Sequence, residues 1–171
     1  RSPERVRGLV LANPGGLDRA DGLAGAACRL MAGFFAAGAR GTRWFPGAFA
    51  LYYRFVLPGR PAAAQRARIV AAAREVAPVL AQAWTSFATP EADLRSLVPR
   101  VACPVLVAWA RRDPVLRLRR NLAAIRRFPR VTLETFDAGH APFLEAPEAF
   151  EASLERFLQS LPREPAVPAR S

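Results

Sequence analysis

The sequence predicts an α/β fold, with parallel strands flanked by helices and a helical block inserted after the first strand. Three observations predict it. Short apolar runs stopped by turn residues stand at 6–12, 104–109 and 131–136, as buried strands of a parallel sheet do. Helical spacing fills the intervals, and strand–helix alternation calls for parallel strands with helices on the faces. Hydrophobic residues are 51% of the 171, at a mean hydropathy of +0.06, enough for a core and far from the composition of disorder.

The first run, Val6-Arg7-Gly8-Leu9-Val10-Leu11-Ala12, ends at Asn13-Pro14-Gly15-Gly16, where Asn-Pro and Gly-Gly both punctuate structure. From Leu17 to about Pro90, Ala-rich segments with helical spacing are separated by Gly41, Pro46, Pro58-Gly59 and Pro61. Helices are expected at about 22–39, 44–56 and 62–87, with Pro78 kinking or splitting the last. Pro104-Val105-Leu106-Val107-Ala108-Trp109 is the second strand. Asp113 and Pro114 then open a helix, the carboxylate as its cap and the proline in its first turn. Leu118, Leu122 and Ile125 mark the apolar stripe of that helix, and Arg117, Arg119, Arg120, Arg126 and Arg127 lie off it as a solvated face. The third strand, 131–136, alternates Val131 and Leu133 against Thr132 and Glu134 and closes at Asp137-Ala138-Gly139-His140. A last helix starts at Pro147 and carries Phe150, Leu154, Phe157, Leu158 and Leu161 at helical spacing. Three strands make an incomplete sheet, one edge of which lacks neighbours.

The net charge is +11, and every one of the 25 basic residues is Arg. Such a charge raises nucleic-acid binding. The arginines are scattered among acids and shared between elements, however, and the expected partner is a small-molecule substrate, with no nucleic acid and no membrane. Cys28 and Cys103 match no metal or redox spacing and read as free thiols, so the expected compartment is the cytoplasm. The apolar segment at 22–39 is interrupted by Arg29 and reads as a packed helix, not a bilayer span.

In open α/β sheets, ligands bind outside the carboxyl ends of the strands. Asp113 follows the second strand and His140 the third, so their loops should be adjacent. A carboxylate that accepts the ring N–H of a histidine fixes its tautomer and stabilises the imidazolium formed on proton abstraction. His140 is also the chain's single histidine, the side chain best suited to proton transfer near neutral pH. Asp137 is a rival partner for it, although three residues' separation suits a loop turn better. One histidine and no paired cysteines build no standard metal site, and no cofactor is implied.

These segments resemble those of α/β-hydrolase-fold enzymes. The stretch Pro104 to Pro114 looks like the acid-bearing strand and turn of that superfamily. Asp137-Ala138-Gly139-His140-Ala141-Pro142-Phe143-Leu144-Glu145-Ala146-Pro147 looks like its His loop and final helix. The resemblance implies the C-terminal part of the fold: core strand and turn at 1–16, a helical lid at 17–92, the acid- and His-bearing core at 93–161, and a disordered tail at 162–171. It implies Asp113 as catalytic acid and His140 as catalytic base, in a lid-bearing hydrolase of the esterase, haloalkane dehalogenase or epoxide hydrolase kind.

The family's nucleophile lies on a Gly-x-Ser-x-Gly or Gly-x-Asp-x-Gly elbow before the acid, and the sequence contains neither. The chain therefore reads as a portion of a longer protein, inactive alone, with the nucleophile and hence the bond cleaved left open. The alternatives are a non-catalytic remnant and a small-molecule-binding module. Asn13 stands where some relatives carry another acid, and its expected role is the turn. Trp44, Phe45, Phe49, Tyr52, Tyr53 and Trp84 read first as lid core and second as groups that touch substrate. Phe143 is expected to pack the His loop.

Overall fold

A computed structural model describes residues 3–18 and 22–162. The tail expected to be disordered lies, from residue 163 on, outside the described residues. Three strands, β1 (Leu9–Ala12), β2 (Val105–Ala110) and β3 (Val131–Phe136), form a parallel sheet in the order β1-β2-β3. Leu9 stands opposite Val105 and Ala12 opposite Ala108, while Val105 faces Val131 and Ala110 faces Phe136. Parallel pairing obliges each connection to cross over, and both do so through helices.

All six residues of β2 are buried, as befits a central strand covered on both faces. Its side chains alternate between two cores. Val105, Val107 and Trp109 pack with Leu17, Val98 and the Ala124, Ile125 and Phe128 cluster. Ala108 and Ala110 pack with Phe136, Ala138 and the partly buried Phe150. Each fully buried valine, leucine or isoleucine side chain here contributes about 1.5–3 kcal/mol. The covering helices are α5 (Leu118–Ile125) and α7 (Pro147–Ser160), the latter preceded by the single turn α6 (Pro142–Glu145).

Among the described residues, four α-helices stand between β1 and β2: α1 (Gly22–Ala39), α2 (Phe45–Val56), α3 (Ala63–Ala71) and α4 (Ala73–Phe87). They have a core of their own, in which Phe35, Phe45 and Phe49 are fully buried against Ala73 and Ala77. Gly38 lets the Phe45 ring lie directly on α1, where a Cβ would come within 2.6 Å of it. Helix α1 runs along α4. Its 18 residues, at a mean hydropathy of 1.3, are nevertheless long and apolar enough to cross a bilayer, so Arg29 does not disqualify it by composition. Leu23 and Leu30 are largely exposed.

Four expectations are corrected. The first strand begins at Leu9, because residues 3–5 form a 3-10 turn in which the Val6 N–H bonds to Pro3 O and Gly8 lies under Leu161 and Phe157. The long helix breaks at Ala72, six residues before Pro78, which sits inside α4. Both halves reach the phenylalanine core, Ile69 and Val70 of α3 alongside Ala73 and Ala77 of α4, and Ile69 also packs on the cluster that includes Ala141. The helix expected to open at Asp113 begins at Leu118, because the Asp113 carboxylate takes the Val115 and Leu116 N–H groups and holds 113–116 in a turn. In the last helix, Phe157 is buried but Leu158 is 54% exposed. The arginine face of α5 is exposed throughout, as expected.

Candidate active site

Asp113 and His140 leave the carboxyl ends of adjacent strands and meet. The two loops are bonded backbone to backbone, Arg111 N–H to Phe136 O and Arg112 N–H to Ala138 O. His140 Nδ1 lies 2.8 Å from Asp113 Oδ2, with the aspartate side chain fully buried and the histidine 36% exposed. An ionised carboxylate only accepts, so the shared proton is on Nδ1, and in the neutral imidazole Nε2 is then the nitrogen with the lone pair. Asp137, the rival partner, is turned outward and pairs instead with Arg112 at 2.7 Å.

Four donors converge on the Asp113 carboxylate. Oδ1 accepts the N–H of Val115 at 2.7 Å and of Leu116 at 3.0 Å. Oδ2 accepts from His140 and from Asn13 Nδ2. Burial alone would raise this carboxyl, but the His140 hydrogen bond and charge, with the Leu116 N–H and Asn13, outweigh it and hold the pKa below the ordinary carboxylate value.

Asn13 does more than turn the chain. It sits at φ 43°, in the left-handed region that asparagine tolerates better than most residues. Its Oδ1 accepts the Ala110 N–H at 2.7 Å, so its amide end must face Asp113. It is buried, and it links the end of β1 to the end of β2 and to the acid. The Asn-Pro dipeptide signalled the turn, but nothing local in the sequence signalled the partner 100 residues away.

Glu145 is a further residue of the site, one that the sequence did not single out. It is buried, and it accepts the His140 N–H at 2.9 Å and the Ala141 N–H at 3.1 Å through Oε1. The available signal was a single carboxylate in the otherwise apolar stretch Ala141 to Pro147.

Of the aromatic residues in the helical block, Phe45 and Phe49 are core, Tyr52, Tyr53 and Trp84 are partly buried against it, and Trp44 is 55% exposed. Phe143 is half-exposed and contacts Phe150 edge-on. An apolar groove runs between α1 and α2, lined by Met31, Phe34, Ala48, Leu51, Tyr52 and Phe55. Burial raises the Tyr52 hydroxyl, and so do neighbouring Tyr53 and the charge on Asp113. Among the described residues no three of His, Cys, Asp and Glu cluster as metal ligands do.

A model of the Alpha/beta hydrolase family matches residues 2–153. No curated protein matches the chain in sequence. Among solved structures, a thermophilic esterase from Thermogutta terrifontis superposes with a TM-score of 0.68 at 21% identity, over 93% of this chain and 58% of its own. A hydrolase from Pseudomonas aeruginosa PA01 gives 0.69 at 23% identity, over 94% and 58%. An esterase from Exiguobacterium antarcticum gives 0.71 at 16% identity, over 91% and 58%. These likenesses show a shared fold, and the chain spans 58% of the length of each of the three proteins.

Proposed function

Since the chain belongs to the Alpha/beta hydrolase family, we propose that it supplies the acid, Asp113, and the base, His140, of a nucleophile–His–acid triad. The observation that carries this reading is the 2.8 Å contact between His140 Nδ1 and a fully buried Asp113 carboxylate, which leaves Nε2 free to take a proton. In the reaction, Nε2 removes the proton of the nucleophile or of the attacking water, and the adjacent carboxylate stabilises the resulting imidazolium. The nucleophile comes from outside the 171 residues. A serine there makes the reaction ester hydrolysis through an acyl-enzyme, and an aspartate makes it displacement through an alkyl-enzyme ester.

The helical block at 22–87 is the lid of this site. The α1–α2 groove with its apolar lining supports a small apolar substrate, since such pockets bind mainly through apolar surface and orient through a few polar groups.

The test begins with the coding DNA upstream of Arg1. An in-frame Gly-x-Ser-x-Gly or Gly-x-Asp-x-Gly is expected, and its central residue decides the reaction. In the protein carrying that elbow, His140→Ala should lower ester or haloalkane turnover by about 10⁶-fold with circular dichroism unchanged. A start codon directly before Arg1, or activity surviving His140→Ala, would overturn the proposal.

A further inference from the structure

The helical block and the His140 loop meet at one buried carboxylate. Glu145 ends α6 and is 8% exposed. Its Oε1 accepts the His140 N–H at 2.9 Å and the Ala141 N–H at 3.1 Å, and its Oε2 accepts the N–H of Gly59 at 3.0 Å. Gly59 belongs to the connection between α2 and α3, so the two oxygens serve two different parts of the molecule.

The backbones approach closely there. A Cβ on Gly139 would lie 2.5 Å from Pro58 Cδ and 2.9 Å from Val56 O, and one on Gly59 would lie 2.9 Å from Glu145 Oε2. The connection is braced from behind by Arg66, whose guanidinium donates to Leu57 O and, at 3.4 Å, to Gly59 O. Val56, Leu57, Ala62 and Ala141 form a buried apolar cluster across the same junction.

We propose that Glu145 is a positioning residue that ties the His140 loop to the α2–α3 connection, so that the seating of the helical block sets the position of the His140 ring. This rests on the reading of His140 as the base. Asp113 holds the ring at Nδ1 but leaves the loop backbone free to shift. The Glu145 carboxylate fixes that backbone at the N–H of His140 itself. The donor set also explains the residue type. All three partners are N–H groups shared between both oxygens, and only a carboxylate offers acceptors at both ends. A glutamine could serve one side alone, because its NH₂ would face a donor on the other.

The test reads the Cε1–H cross-peak of the His140 ring, assigned as the one that disappears in His140→Ala. In Glu145→Ala that cross-peak should move and the Nδ1–H signal should be lost. In Glu145→Gln the His140 and Ala141 amides should stay protected, while Gly59 amide exchange should speed up about tenfold, as expected for one lost hydrogen bond. A merely structural role would lower the melting temperature and leave the cross-peak in place. The inference is overturned if the cross-peak of Glu145→Ala superposes on that of the parent, or if Gly59 keeps its protection in Glu145→Gln. Should Glu145→Ala fail to fold, Gly59→Ala presses on the carboxylate from the helical block alone. A shifted ring cross-peak in that variant supports the coupling, and an unmoved one refutes it. Turnover surviving His140→Ala would sink the reading of the base without altering these spectra, so the two failures are distinguishable.

Discussion

Asn13 and Asp113, 100 residues apart, share a hydrogen bond at the carboxylate oxygen that also receives the His140 ring. The end of β1 is thereby part of the acid's environment. The acid is held by one side chain from each neighbouring strand end and by two backbone N–H groups of its own turn.

Asp113→Asn replaces an acceptor with a group that presents an NH₂ to donors, and should cost about 1–3 kcal/mol at neutral pH. The sign of its pH dependence follows from the lowered carboxyl. The folded chain binds this proton less readily than the unfolded chain does. The contribution is therefore full above the ordinary aspartate value of about 3.9, and is lost as pH falls through the lowered one. Urea denaturation of both forms should show a gap at pH 7 that closes in strong acid.

Asn13→Asp keeps the shape and places a second carboxylate against the first. It should destabilise the fold by about 2–3 kcal/mol at pH 7 and raise the titration of the Asp113 carboxyl. Carbonyl-detected NMR titration would read the shift. An unchanged titration would mean that the two side chains do not touch in solution.

Gly38→Ala drives a methyl group into the Phe45 ring, which is fully buried and has no room to yield. Overpacking of this kind costs about 1–3 kcal/mol. Thermal melting should fall accordingly, whereas Gly33→Ala on the same helix, where a Cβ meets nothing within 4 Å, should be neutral or slightly stabilising.

Phe35→Ala removes the ring that packs against Phe45, Phe49, Tyr52 and Trp84. The cavity should cost about 3–5 kcal/mol. Hydrogen exchange should rise chiefly in α1, α2 and α4, with β2 keeping its protection, because the two cores share no residue among their buried members.

The strands at 104–109 and 131–136 were legible because buried parallel strands are short apolar runs, and their ends showed where Asp113 and His140 would stand. Pro147 likewise marked the start of α7. The break at Ala72 was not legible, since an alanine carries no local signal of a helix end. The delayed start of α5 was hidden because an aspartate before a proline suits a helix cap as well as a turn, and the Asp113 carboxylate closes a turn.

By itself the sequence determined the α/β order, the pair of residues at the strand ends and the helical block between them, because periodicity and turn chemistry are local properties. Only the tertiary structure decided which groups hold that pair. Asn13 reaches Asp113 across 100 residues, and Glu145 joins His140 to Gly59 across 86. Such contacts depend on the register of a folded sheet and the seating of one helical block on its loops. A buried polar group finds its partner through that packing, not through its neighbours in the chain.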